Sequence, residues 1–260
     1  MDMCAPPFNS NTMAITNLQE AAIAVCINGV CQSVMMASPT DLEAFGLGFI
    51  LCEGIIENTD AVLAIDCDQQ SNGWQVDITV IAASEHSLKQ RRRLMAGPSG
   101  CGLCGVASLD EAMALPLNTK AELGAQPLMN AVNQGPLIKA AISQISHLQH
   151  QFACTRGHHS AMFFDKDGAF IDLAEDVGRH SALDKLIGRL ARNPRKPVVL
   201  ATGFAVLTSR CSHDLVIKAS RTGIAALVTL GLPTDLAVQS AQRLALPLFC
   251  FQYDQLKQFA

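Results

Sequence analysis

The stretch PVVLATGFAVLTSRCSHDLVIKASRTGIAALVTLGLPTDLAVQSAQRLALPLFCF, residues 197–251, decides the fold class. Short apolar runs at 197–202, 224–229 and 247–251 have the length of buried strands, while 212–220 and 234–244 carry apolar residues at helical spacing. Strand, helix, strand, helix, strand in that order predicts a largely parallel sheet covered by helices, hence an α/β protein. Upstream, strands at 160–164 and 169–173 flank the turn Asp165-Lys166-Asp167-Gly168, and helices at 137–149 and 177–190 bracket them. The last of these helices leads into the quoted stretch.

Toward the N-terminus the pattern changes to α+β. Residues 22–27 and 30–36 flank Asn28-Gly29, a pair suited to the positive φ angles of a two-residue hairpin turn. A helix follows: Ser38 suits its cap, Pro39 its first turn, and Asp41 and Glu43 its positive end, before the apolar run closes near Glu53-Gly54. A second hairpin, 61–67 with 74–81, turns about Asn72-Gly73. A polar helix over 84–95 leads to the glycine-rich segment 97–105, and a short helix over 106–113 follows. The predicted organisation is a loosely ordered leader (1–20), a smaller α+β domain (21–96), a glycine-rich connection (97–135) and an α/β domain (136–260).

Hydrophobic residues make up 49% of the 260 and charged ones 16%, against roughly 25% charged in average proteins, so apolar material suffices for a buried core. With 19 basic and 23 acidic side chains the formal charge is −4. No basic stripe offers the phosphate neutralisation that nucleic acids require, so none is expected as a partner. No apolar run approaches the roughly 18 residues of a membrane span. The start lacks a basic region followed by an apolar one, and the expectation is a cytoplasmic protein. In a reducing compartment the 10 cysteines stay free, and Cys26, Cys31, Cys52 and Cys67 read as small hydrophobes in apolar runs. Cys154, Cys211 and Cys250 lie nearer polar junctions.

Cys101 and Cys104 stand apart because each is followed by glycine and the pair precedes a short helix. A helix start favours the thiolate, and flanking glycines let another molecule reach the sulfur. Structural thiols, half a zinc site, a redox dithiol and a sulfur-carrying nucleophile all compete for this motif. Zinc lacks a second Cys-x-x-Cys or a paired histidine motif, and a thioredoxin-like site would follow an early strand. The second concentration of functional residues is Thr155-Arg156-Gly157-His158-His159-Ser160 together with Glu175-Asp176-Val177-Gly178-Arg179-His180. Such groups either satisfy one another or surround a polar ligand. They fall at a strand-to-helix junction, where open α/β sheets bind ligands. Arg210 and Lys218, at a similar junction further on, could pair with phosphate or with Glu175 or Asp176.

Read in order, several segments resemble the formate dehydrogenase accessory sulfurtransferases, the FdhD family. They are Met36-Ala37-Ser38-Pro39-Thr40-Asp41-Leu42, Glu53-Gly54-Ile55-Ile56, Gly100-Cys101-Gly102-Leu103-Cys104-Gly105, Glu175 through Lys185, Ser209-Arg210, Val216 with Lys218, and Pro233-Thr234. The resemblance spans about residues 20–251. It implies a sulfur carrier that accepts persulfide sulfur from a cysteine desulfurase and gives it to the molybdenum (or tungsten) bis-guanine-dinucleotide pterin cofactor, needed by formate dehydrogenase. It further implies a homodimer and a cytidine-deaminase-like α/β/α C-terminal domain without structural metal. Cys101 would carry the persulfide with Cys104 as its partner. His159, Arg179, His180, Arg210 and Lys218 would bind cofactor, together with Phe249, Cys250, Phe251, Gln252, Tyr253 and Asp254, a segment without a basic residue. The alternatives are a non-catalytic pterin-cofactor chaperone and a dithiol redox protein.

Overall fold

The computed structural model describes residues 17–81, 131–148, 157–193 and 200–260, with the side chains of 131–133 excepted. Its N-terminal sheet begins with the expected hairpin: β1 (Ala21–Ile27) and β2 (Val30–Ala37) meet at Asn28 (φ 48°) and Gly29 (φ 77°). Two successive positive φ angles make a type I′ turn, whose twist matches that of the strands. Helix α1 (Leu42–Cys52) carries the chain to β3 (Val62–Gln70) and β4 (Gly73–Val80), giving the strand order β2-β1-β4-β3 with β1 and β4 parallel. Ile23, Val25 and Ile27 alternate with outward residues along β1 and join Val76, Ile78 and Val80 of β4 against Phe45, Phe49 and Ile50 of α1.

The helix over 137–149 is observed as α2 (Ala131–Ser143) and the short α3 (Ile145–Leu148). The C-terminal sheet is built from β5 (His159–Phe164), β6 (Phe170–Asp176), β7 (Phe204–Leu207), β8 (Ala226–Thr229), β9 (Leu248–Gln252) and β10 (Gln255–Gln258), in the order β10-β9-β8-β7-β5-β6. Helices α4 (Arg179–Ala191), α5 (His213–Thr222) and α6 (Asp235–Arg243) cover one face, where Leu183, Leu186, Leu215 and Ala237 meet Phe163, Ala205, Leu227 and Leu248. On the other face Ile138, Ala141 and Ile145 meet Met162, Phe164, Val206 and Phe249. Both faces are therefore apolar, as a sheet sandwiched between helices requires.

Helix α1 lies between the two halves and is apolar apart from Glu43 in its first turn, with nine of its residues buried, the signature of a helix covered on most sides. Its contact with α4 is set by two glycines. A Cβ on Gly48 would overlap the backbone carbonyl of Asp184, and one on Gly188 the carbonyl of Ala44. The two backbones touch without intervening side chains.

Four expectations are corrected. Ser38 does not cap α1, which starts after Asp41 in the left-handed region (φ 50°) with no side-chain cap; Ser38 is instead drawn into the C-terminal half, as described below. The apolar run at 197–202 is not a strand where it is described: Leu200–Thr202 is a 3-10 turn, and β7 begins beyond Gly203, whose missing side chain leaves room for Phe163. The sheet is mixed. Only β7, β8 and β9 are parallel to each other, because the β5–β6 hairpin adds to β7 antiparallel. Nor does β9 end the sheet, since Tyr253 (φ 51°) and Asp254 (φ 59°) turn the chain into β10 without a glycine to mark the place.

Gly48→Ala is expected to lower folding stability by about 3 kcal/mol or more, because the obstacle is backbone on a packed helix. Gly29→Ala, with open space around it, should cost only the left-handed strain of about 1–2 kcal/mol. Urea unfolding of both variants checks this order.

Candidate functional site

Parallel β7, β8 and β9 end at the same edge of the sheet, and antiparallel β5 begins there. That edge carries His159 at the start of β5, Glu175 and Asp176 at the end of β6, Thr208 to Arg210 after β7, Gly231 after β8, and Gln252 at the end of β9. The N-termini of α4 and α5 point into the same region. Neither Gly178 before α4 nor Ser212 before α5 makes a side-chain cap bond, whereas Thr234 caps α6 through the Ala237 N–H at 3.2 Å. Uncapped helix starts offer N–H groups and partial positive charge to an anion.

Most acidic groups at this edge are already engaged. Ser160 Oγ donates to Glu175 Oε1 at 2.8 Å, and the Ser160 N–H donates to Thr208 Oγ1 at 2.9 Å. Asp176 is fully buried. Its Oδ2 pairs with Lys185 Nζ at 2.6 Å and accepts the Ser38 N–H at 3.1 Å, while its Oδ1 accepts the Gly178 N–H at 2.7 Å. Lys185, equally buried, also donates to the Ser38 carbonyl at 2.9 Å and Thr40 Oγ1 at 3.3 Å, and Ser38 Oγ accepts the Val177 N–H at 3.2 Å. One ion pair thus ties the end of β2 to the start of α4.

Lys218 has a similar station deeper in the fold. Its Nζ donates to both carboxylate oxygens of Asp184 at 2.8 Å and lies 3.1 Å from Glu53 Oε1 and 5.4 Å from the Phe49 ring centre. Burial opposes its charge, but the carboxylates of Asp184 and Glu53 outweigh it and hold the ammonium above its ordinary pKa; Asp184 is raised, mainly by burial. The partners anticipated for this lysine, Glu175 and Asp176, are replaced by carboxylates on α4 and at the end of α1.

Arg179 is different. Its Nε is buried and without a hydrogen-bond partner. The two neighbouring histidines are held neutral: burial, then Arg179, lowers His159, and burial, then Lys218 and Arg179, lowers His180 to about 3. The 3.8 Å approach of His180 Nε2 to Asp214 Oδ2 is consequently that of a neutral ring, and the same nitrogen lies 3.5 Å from Ser212 Oγ. Arg210 is exposed at the rim, its backbone packed where a Gly231 Cβ would stand. The site combines two arginines, two uncharged imidazoles and two helix starts, an arrangement that can bind an anionic ligand.

The C-terminal segment divides. Phe249 and Cys250 are core residues. Phe251 and Gln252 are half-buried at the carboxyl edge, where Gln252 Nε2 donates to the Leu230 carbonyl at 3.0 Å, and Tyr253 and Asp254 are exposed in the turn to β10. Cys101 and Cys104 lie outside the described residues, as do the predicted helices over 84–95 and 106–113. Sequence reading missed the bracing by Ser38, Thr208 and Lys185. Ser38 stands in a pattern that imitates a helix cap, and only the acidic Asp176 far along the chain reveals its use.

A separate groove, lined by Asp41, Glu43, Trp74, Asp172, Arg189 and Arg192, lies between the start of α1 and the end of α4. Its charges are internally matched: Arg189 meets Asp41 at 2.9 Å and Asp172 at 3.0 Å, and Arg192 meets Glu43.

His180 gives the site a testable pH signature. Unfolded, it takes up a proton near pH 6.5; folded, it resists until about 3. Its contribution is complete above pH 6.5 and is lost as pH falls toward 3. The His180→Gln variant should therefore have a shallower acid limb, differing by about 3 kcal/mol near pH 4. Urea midpoints at stepped pH measure this.

The sequence profile of the FdhD/NarQ family matches residues 18–257. Curated relatives include the sulfur carrier protein FdhD of Chromobacterium violaceum, 39% identical over 89% of this chain and 84% of that protein. Another is the protein of the same name from Cupriavidus necator, 36% identical over 90% of this chain and 77% of that protein. Among solved structures, a proposed formate dehydrogenase accessory protein from Desulfotalea psychrophila has the same fold, with a TM-score of 0.63 at 21% identity over 92% of this chain and 86% of that one.

Proposed function

The chain belongs to the FdhD/NarQ family, and from that premise we propose that it is a sulfur carrier serving formate dehydrogenase. The Cys101 thiolate attacks the outer sulfur of a persulfide on a cysteine desulfurase; that S–S bond breaks, the desulfurase thiolate leaves, and Cys101 holds the persulfide. Cys104 then attacks the inner sulfur, forming a Cys101–Cys104 disulfide and releasing the outer sulfur as hydrosulfide. The two thiols supply both electrons, so no further reductant enters that step.

The recipient in this reading is the molybdenum (or tungsten) bis-guanine-dinucleotide pterin, bound as substrate. The buried, unpartnered Nε of Arg179 carries the proposal. A buried donor without an acceptor is costly, and a phosphate oxygen of a dinucleotide would supply one. Arg210 and the starts of α4 and α5 would hold further phosphate oxygens, while neutral His159 and His180 can hydrogen-bond without adding charge. Lys218 would act through Asp184 by fixing α4. Phe251 and Gln252 would border the ligand, whereas Phe249 and Cys250 would support them from the core.

The helix-covered C-terminal sheet is read as a cytidine-deaminase-like layer arrangement, and the working unit as a cytoplasmic homodimer. No helix among the described residues is long and apolar enough to cross a membrane.

Incubation with a desulfurase and cysteine, followed by intact-mass measurement, should show one added sulfur on the native chain and none on Cys101→Ala. An unchanged native mass overturns the relay. Arg179→Ala should weaken binding of the loaded guanine-dinucleotide pterin about 10- to 100-fold, the weight of a charge-assisted hydrogen bond, while leaving sulfur loading intact. Titration calorimetry measures the first effect and the mass assay the second.

A further inference from the structure

Two cysteines away from this site face each other across the first hairpin. The register of β1 and β2 sets Ile27 opposite Val30 and Cys26 opposite Cys31. In a hairpin closed by a two-residue turn, the pair beside the turn is hydrogen-bonded and the next pair is not. The Cα atoms of that second pair approach to about 4.5 Å, within the roughly 4.4–6.8 Å over which a disulfide closes. Directly opposed residues share one face of the sheet, so the two side chains are neighbours, and Cys31 contributes to the elevation of the Cys26 thiol.

The surroundings make the two thiols unequal. Beyond the pair the register shifts, with Val25 opposite Ser33, so Gln32 is an extra residue and the strand is bulged next to Cys31. Cys31 is exposed and donates to the Ser33 carbonyl at 3.7 Å, while Cys26 is only 6% exposed. Cys211 and Cys250 are both buried, out of reach of a dissolved oxidant.

We propose that Cys26 and Cys31 form a thiol–disulfide exchange site for low-molecular-weight disulfides, distinct from the Cys101 relay. Cys31, the accessible sulfur, attacks a disulfide R–S–S–R, forming Cys31–S–S–R and releasing one thiolate. Cys26 gives up its proton and attacks the Cys31 sulfur, closing the cross-strand disulfide and releasing the second thiolate. Two protein thiols are oxidised as one disulfide is reduced to two thiols. Burial, then Cys31 and Asp77, push the Cys26 thiol up to about 12, in keeping with the exposed Cys31 attacking first. The bond would staple β1 to β2 beside Asn28, whose side chain holds Val80 through both backbone groups at 3.2 and 2.9 Å. Val80 ends β4, so the staple would lie where the chain departs toward the segment containing Cys101.

The test exposes the full chain to glutathione disulfide, blocks remaining thiols with N-ethylmaleimide and maps the peptides. The expected product is a 26–31 linkage lighter by two hydrogens, unlabelled at both cysteines and reversed by dithiothreitol. Cys26→Ala should retain one glutathionyl group on Cys31, and the exposed-site variant Cys31→Ser should leave Cys26 reduced. A glutathionyl group that persists on Cys31 of the native chain without closure overturns the proposal, as does full maleimide labelling of both thiols after the exposure.

Discussion

The two halves of the molecule are held in register by the approach of α1 to α4, where Gly48 meets the Asp184 carbonyl and Gly188 the Ala44 carbonyl. At that separation no side chain can lie between the backbones, so the angle and depth of α1 are set by main-chain shape. The carboxylate of Asp184 is thereby delivered to Lys218 on α5, while Lys185, the next residue of α4, reaches Asp176 and Ser38. Burying two lysines is costly unless each ammonium is fully paired. The close crossing provides that pairing by bringing partners from distant segments to fixed places.

This arrangement explains which groups at the carboxyl edge remain available. Asp176 has satisfied the Gly178 N–H, the Ser38 N–H and Lys185 together. Glu175 is bonded to Ser160. With the carboxylates committed to the fold, they do not neutralise Arg179 at Nε, and the neutral state of His159 and His180 follows first from burial, then from Arg179 beside His159 and from Lys218 and Arg179 beside His180. The electrostatics of the site are a consequence of structural ion pairs placed one layer beneath it.

Much of this frame is legible in the sequence where local rules act alone. Asn28-Gly29 specified its hairpin because both residues tolerate positive φ, and the alternation of strands and helices after residue 203 followed from apolar periodicity. What the pattern could not reveal was non-local. The antiparallel attachment of β5 to β7 depends on which edge a hairpin joins, and Tyr253-Asp254 forms a turn without glycine. Ser38 looked like a cap because Ser-Pro before acidic residues is the local signal for one; its real partner is 138 residues away. The strand-to-helix junction was readable as a cluster of polar and charged groups, but which of them the fold itself satisfies was not.

That last distinction bears on how cations near such a junction are to be weighed. Arg179, Arg210, Lys185 and Lys218 cluster in the same region of the fold, and counting them alone would suggest a strongly positive pocket. The lysines are enclosed by carboxylates and carbonyls and present no ammonium to a ligand, while Arg210 is exposed and Arg179 holds a buried nitrogen without an acceptor. The division suits the side chains. An ammonium is a compact point charge that three surrounding oxygens can satisfy, whereas a planar guanidinium can engage protein on one edge and phosphate on another. Partner satisfaction, more than charge or proximity, separates the residues that build this edge of the sheet from those left with hydrogen-bonding capacity to spare.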